Sequence, residues 1–177
     1  MGGHAPQPQG SNPSPWIVRF APLVAPGGSV LDLACGGGRH GRFFLDHGHP
    51  VTFVDRDLSG IADLRSNARA ALVEADLEAA PWPLENQQFA AAVVSNYLWR
   101  PLFPALLAAL APQGLLLFET FMRGNERFGK PSNPDFLLAE NELFERCKDA
   151  CKIIAFEQGE ETAPRPAMRQ RICAIKR

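Results

Sequence analysis

Three aspartates and one run of glycines carry the chemistry this chain can be expected to do. Asp32 sits inside Val30-Leu31-Asp32-Leu33-Ala34-Cys35-Gly36-Gly37-Gly38-Arg39-His40-Gly41, where an apolar run meets three consecutive glycines. Glycine lets a backbone turn sharply from strand to helix and lets a ligand approach without meeting a Cβ. The helix start beyond such a turn offers unpaired N–H groups to a carboxylate or phosphate. Gly36, Gly38 and Gly41 satisfy G-x-G-x-x-G, and Asp55 follows Gly36 by 19 residues, the spacing of an acid that binds a ribose. That much also suits a dinucleotide enzyme. Asp32 separates the two readings, because an anion beside a pyrophosphate is repelled, whereas one beside a cationic ammonium and sulfonium is attracted. Asp32 capping a loop or pairing with an arginine is the structural alternative.

These residues need strands to hold them. Ser29–Leu33, Val51–Val54, Ala71–Ala75, Phe89–Val94, Gly114–Phe118, Lys152–Phe156 and Met168–Ile175 read as seven strands, each short and rich in apolar or β-branched residues. Helices are expected at Pro15–Val24, Arg39–His47, Leu58–Asn67, Leu102–Ala111 and Ala139–Ala150. Alternating strands and helices predict an α/β fold, a mostly parallel sheet with helices on both faces. The all-apolar Phe89–Val94 is the kind of strand buried on both faces. Between Phe156 and Met168 too few residues remain for a helical crossover, so the last strand should run antiparallel to its neighbour.

Length and composition narrow the classes. At 177 residues the chain holds one well-buried domain, expected over residues 15–177 behind a flexible tail at 1–14, and cannot add a substrate domain of ordinary size. Its 18 basic and 19 acidic residues give a net charge of −1, so no global positive field draws nucleic acid or anionic membrane. MGGHAPQPQGSNPSP has no basic segment followed by an apolar one, so it does not read as a signal peptide. The apolar stretch Leu102–Phe118 is broken by Pro104, Pro112 and Gly114 and does not read as a membrane span. Four cysteines without secretory context read as reduced thiols, and a cytoplasmic location is the expectation. Cys147 and Cys151 share a predicted helix face but lack further ligands, so no metal site is expected.

The segment Val-Leu-Asp-Leu-Ala-Cys-Gly-Gly-Gly resembles motif I of the class I S-adenosylmethionine-dependent methyltransferases, and the likeness runs from about Trp16 to Ile175. The resemblance implies a Rossmann-like fold with S-adenosylmethionine as cofactor and S-adenosylhomocysteine as product. It implies that Asp32 holds the methionine ammonium, directly or through water, and that Ala34 and the Gly36, Gly37 and Gly38 backbone wrap the methionine and ribose. Val51–Asp55 is similar to motif II, whose terminal acid takes both ribose hydroxyls in a bidentate, charge-assisted pair, and Arg56, which follows it, is expected beside the cofactor as well. Glu74-Ala75-Asp76-Leu77 resembles the third motif, with Asp76 accepting from the adenine amino group and Leu77 lying against the ring. A turn residue at Asp55 and a helix cap at Asp76 are the alternatives.

Ser95-Asn96-Tyr97-Leu98-Trp99 follows the central strand, so Ser95 belongs beside the cofactor and Asn96, Tyr97 and Trp99 are candidates for the acceptor side. His40 and Arg123 are further acceptor-side candidates. Asn-Tyr-Leu-Trp is not the Asn-Pro-Pro-Tyr or Asp-Pro-Pro-Tyr signature of many amino-methyltransferases, which lowers the nucleic-acid reading. Arg123, Arg127 and Lys130 lie in a long loop over residues 121–135, readable as a lid that favours an anionic acceptor or as a solvated loop. His47 and His49 are expected in an exposed turn. Gly36–Arg39, Leu138–Leu143 and the ending Arg169–Arg177 resemble the small tellurite-resistance and thiopurine-like enzymes. However, residues 159–168 lack the histidine that the tellurite enzymes carry there, which points away from that substrate. The expectation is a methyltransferase for a small-molecule acceptor, acting as monomer or homodimer. A non-catalytic cofactor-binding subunit or sensor, and an RNA or protein methyltransferase, are the alternatives.

Overall fold

A computed structural model describes residues 12–177. Seven strands, β1 (Val30–Leu33), β2 (Val51–Asp55), β3 (Ala70–Glu74), β4 (Phe89–Ser95), β5 (Leu110–Phe121), β6 (Cys151–Glu161) and β7 (Ala167–Lys176), form one sheet in the order β3-β2-β1-β4-β5-β7-β6. β1 through β5 pair parallel, and β7 inserts antiparallel to both β5 and β6. The reversal has the cause expected from the sequence: a link over residues 162–166 can only turn the chain back on itself.

Alternate residues of each strand feed two cores. One face carries Leu31, Leu33, Val94, Leu116 and Phe118, covered by α3 (Phe103–Ala108) and α4 (Glu142–Cys147). The other carries Val30, Phe53, Val93 and Leu117 beneath α1 (Pro15–Phe20) and α2 (Arg39–Asp46). The part of the expected tail at 1–11 lies outside the described residues. Ser14 is buried, and its Oγ accepts the Trp16 N–H at 3.2 Å to cap α1.

The helices are shorter than the sequence pattern predicts. The expected helix over 58–67 is a 3-10 segment, Ser59–Ser66, kinked at Ile61. Its buried residues Ile61 and Leu64 are three apart, which suits 3-10 spacing, and Gly60 lies against the glycine loop, where a Cβ would make ordinary contact at 3.4 Å with Gly37 Cα. The expected helix over 102–111 ends at Ala108, and β5 starts at Leu110 rather than Gly114, with a register shift opposite β4. A side chain at Gly114 would meet the Ala111 and Phe89 carbonyls at 2.8 and 3.0 Å, which is where the irregularity falls. The expected helix over 139–150 shrinks to α4, so Cys151 lies on β6 and does not share a helix face with Cys147. The exposed turn expected at His49 is also corrected: His49 is buried, its Nδ1 lies 2.8 Å from the Gly28 carbonyl, and its ring meets Phe44 edge-on.

Candidate functional site

β1 ends by delivering Asp32 and Ala34 to the glycine loop. Ala34 (φ +53°), Gly36 (φ +54°) and Gly38 (φ +71°) all take left-handed backbone, the turn the glycine pattern implied. Asp55, at the end of β2, staples the loop: its Oδ2 accepts the Gly36 N–H at 2.8 Å and its Oδ1 the Asp57 N–H at 3.1 Å. Asp32 is 3% exposed and accepts the Gly41 N–H at 2.8 Å, tying α2 to β1. Burial raises its pKa most; the Gly41 N–H and Arg39 oppose this and Asp55 adds to it, leaving the carboxyl at about 7. The sequence left Asp32 open between cofactor binding and capping, and its side chain already makes a capping bond.

A cavity of about 360 Å³ opens beside this loop at the carboxyl ends of the strands, inside the usual size range of small-molecule sites. One half is lined by Ala34, Asp55, Arg56, Asp76 and Leu77, bringing together five of the residues expected to hold the cofactor. Asp76 also caps its own turn, accepting the Glu78 and Ala79 N–H groups at 2.9 and 3.2 Å. The other half is lined by Asn96, Trp99, Thr120, Phe121, Pro131 and Phe136. Tyr97 lies between the halves; burial first, then the Glu78, Asp76 and Asp55 carboxylates, push its phenol upward, so it stays neutral.

Several expected site residues lie outside the lining. Asp32, Gly36, Gly37, Gly38 and Ser95 stand behind it rather than on it. Ser95 donates to Glu119 Oε1 at 3.2 Å and accepts from Arg39 at 3.3 Å. His40 is 4% exposed, its Nε2 accepts the Ser14 N–H at 3.2 Å, and burial, aided by Arg39, depresses its pKa to about 4. A neutral imidazole with that nitrogen committed to α1 serves the fold, so His40 leaves the acceptor side.

The loop after β5 is well tied down. Asn125, 2% exposed, donates to the Pro131 carbonyl at 3.0 Å and accepts the Met168 N–H at 3.1 Å. Its three cations do not face inward: Arg127 reaches Glu160 at 3.5 Å and covers Phe128, and Arg123 and Lys130 are exposed. None of the three lines the cavity, which corrects Arg123 as an acceptor-side residue.

A polar cluster at the β5–β7 junction was not anticipated. Glu119 pairs in register with Arg171, and Phe121 with Arg169. Arg171 contacts Glu119 at 3.1 Å and also Glu161, while Arg169 reaches Glu161 at 2.7 Å and lies 4.2 Å over the Phe121 ring. Burial would raise Glu119, but Ser14, Arg169 and Arg171 outweigh it and hold the carboxyl below its usual range. The alternation in Arg169-Gln170-Arg171 signals that the arginines share a face. Among the described residues no group of His, Cys, Asp and Glu side chains could hold a metal, and no helix is long and apolar enough to cross a membrane.

Residues 30–114 match a family model described as a methyltransferase domain. No curated protein matches the chain in sequence. Among solved structures, TehB from Haemophilus influenzae is similar at 20% identity and a TM-score of 0.75 over 91% of this chain, which spans only 61% of TehB. The 1,6-didemethyltoxoflavin-N1-methyltransferase of Burkholderia thailandensis, solved with its named ligand and S-adenosylhomocysteine, matches at 21% identity and TM-score 0.68, covering 92% of this chain and 76% of that one. The N-methyltransferase NodS of Bradyrhizobium japonicum, solved with S-adenosylhomocysteine, matches at 14% identity and TM-score 0.69, covering 94% and 89%. At such identities these structures establish a common fold. Together with the strand order, they show that the chain has the class I methyltransferase fold, with a methyltransferase-domain match over residues 30–114.

Proposed function

We propose that this chain is an S-adenosylmethionine-dependent methyltransferase acting on a small molecule with a flat ring, held between Trp99, Phe121 and Phe136. The observation that carries the reading is a single cavity whose halves differ: carboxylates and Leu77 on one side, aromatic side chains on the other. The first half fits the donor chemically. Asp55 and Asp76 offer oxygens to hydroxyl and amino hydrogens, Leu77 offers an apolar surface to a ring, and Ala34 and Gly36 turn the backbone beside them. Bound there, S-adenosylmethionine would supply a methyl group on a sulfonium, activated for displacement by a lone pair.

The chain's own task is then to align two reactants and keep water away. No carboxylate or imidazole lines the aromatic half, and Tyr97 is held neutral, so the described residues offer no base there. An acceptor that arrives already deprotonated, or with a free lone pair, suits such a wall. The three loop cations do not line the cavity, so they give no support to a lid that selects an anionic acceptor. An aromatic chamber beside the donor half weighs against a purely sensory role.

The test is formation of S-adenosylhomocysteine from S-adenosylmethionine across phenols, thiols, carboxylates, amines and tRNA. Turnover on tRNA alone would overturn the small-molecule reading. Replacing Asp55 with alanine removes a charged hydrogen-bond partner and the staple on Gly36. S-adenosylhomocysteine binding, read by calorimetry, is expected to weaken by about 1–3 kcal/mol, roughly 5- to 150-fold. Unchanged affinity would remove the ribose role from Asp55.

A further inference from the structure

Asn96 leaves β4 in the left-handed region at φ +55°, with its backbone N–H held by the Glu119 carbonyl at 3.0 Å. Its side-chain Oδ1 lies 2.6 Å from Arg169 Nη1. A guanidinium has donors and no acceptor, so the amide atom facing it must be the carbonyl oxygen; chemistry fixes the orientation of this amide. Arg169 is itself fixed, 15% exposed at its side chain, with Nε 2.7 Å from Glu161 Oε1 and its guanidinium over Phe121. Asn96 lines the acceptor half of the cavity, and its Nδ2 has no hydrogen-bond partner among the described residues.

We propose that Arg169 is a positioning residue that commits Asn96 to donate, and that the acceptor therefore presents an oxyanion, a thiolate or another lone-pair group to Asn96, not an amine N–H. The inference rests on the methyltransferase reading above and deepens it. An amine N–H held at this position would have to share the Asn96 oxygen with the Arg169 guanidinium, an adjacent cation, whereas the uncommitted Nδ2 hydrogens face a lone pair without competition. A donor N–H aimed at an anion makes a charge-assisted bond, the stronger kind. The neighbouring aromatic side chains supply ring contacts and add no competing acceptor.

Two flat rings of one size test this on the S-adenosylhomocysteine-saturated protein: 2-naphthoate, which accepts at its substituent, and 2-naphthylamine, which donates there. Calorimetry is expected to give at least about tenfold tighter binding of the naphthoate, the worth of one charged hydrogen bond. Arg169→Leu frees the Asn96 amide to turn over, and the preference collapses; Arg169→Lys, which can still donate, retains most of it. Asn96→Asp keeps the contact with Arg169 but cannot donate, so the preference reverses; this variant decides the matter if Arg169→Leu does not fold. The proposal is overturned by a preference that persists in folded Arg169→Leu or Asn96→Asp. Equal or better binding of the amine by the parent protein, or no binding of either ring, overturns it as well. Failure to bind S-adenosylhomocysteine at all would defeat the donor reading first, and this inference with it.

Discussion

Gly41→Ala lowers the unfolding free energy by about 3 kcal/mol or more, as read by chemical denaturation, although alanine is the better helix former. Inside a helix the exchange of glycine for alanine ordinarily stabilises by roughly 0.5–1 kcal/mol. Here the new Cβ would stand 2.1 Å from Phe53 Cε1 and 2.5 Å from its Cζ. Phe53 is fully buried in the middle of β2, and Asp32 Oδ2 lies only 2.9 Å away on the other side, so neither neighbour has room to yield. Overpacking of this kind costs about 1–3 kcal/mol in ordinary cores, and the displaced α2 also gives up the Gly41–Asp32 hydrogen bond. Sterics should therefore reverse the sign that propensity sets. Phe53→Leu, itself destabilising, should recover part of the loss when combined with Gly41→Ala, because it removes the ring atoms in the way. A Gly41→Ala protein at least as stable as the parent would show that α2 does not sit this close to β2.

Asp32→Asn is expected to stabilise the ligand-free protein above neutral pH while weakening the donor. The carboxyl titrates near 3.8 when the chain is unfolded and at about 7 when folded, so the folded state binds its proton more tightly. Between those values the unfolded chain has lost the proton and the folded one keeps it, so stability falls as pH rises, and the penalty levels off above about 7. At about 1.4 kcal/mol per pH unit the full penalty is on the order of 4 kcal/mol. The asparagine protein should match the parent near pH 4 and exceed it by about 2–4 kcal/mol at pH 8. The groups around the carboxyl are the Gly41 N–H, Arg39, Asp55 and the Cys35 thiol, which burial keeps neutral. A cationic ammonium brought near Asp32 favours the ionised form, so S-adenosylhomocysteine should bind the parent more tightly at pH 8 than at pH 6. Asp32→Asn should lose that slope along with affinity. A parent protein whose stability is flat from pH 4 to 8, or an asparagine variant that binds the product as tightly as the parent at pH 8, would remove this role.

What could be read in the sequence was what short stretches of chain decide for themselves. The glycine turn, the aspartates at the ends of β1 and β2, and the antiparallel β7 each follow from local pattern or from the length of one connection, and each is present in the fold. Helices differ from the pattern where the chain kinks, as at Ile61, or where a close approach leaves no room for a side chain, as at Gly114. His49 was expected in an exposed turn because its partner, the Gly28 carbonyl, belongs to another turn 21 residues away. The Glu119–Arg171 and Asn96–Arg169 pairs depend on how β5 and β7 slide against each other, and a slip of one residue would send both arginines to the opposite face. Arg123 stands out in the sequence as a charge in a long loop, yet the arginine that touches the aromatic half, through Asn96 and Phe121, is Arg169, on a strand.

The bond from Met168 N–H to Asn125 has a mechanical meaning. Pro131, which lines the cavity, hangs on the same asparagine, and Arg169 is the next residue along β7. A guest that pushed Pro131 aside would therefore tug on the root of the arginine that orients Asn96. Through this shared asparagine, variation in residues 122–133 should alter entry to the chamber and its choice of guest together.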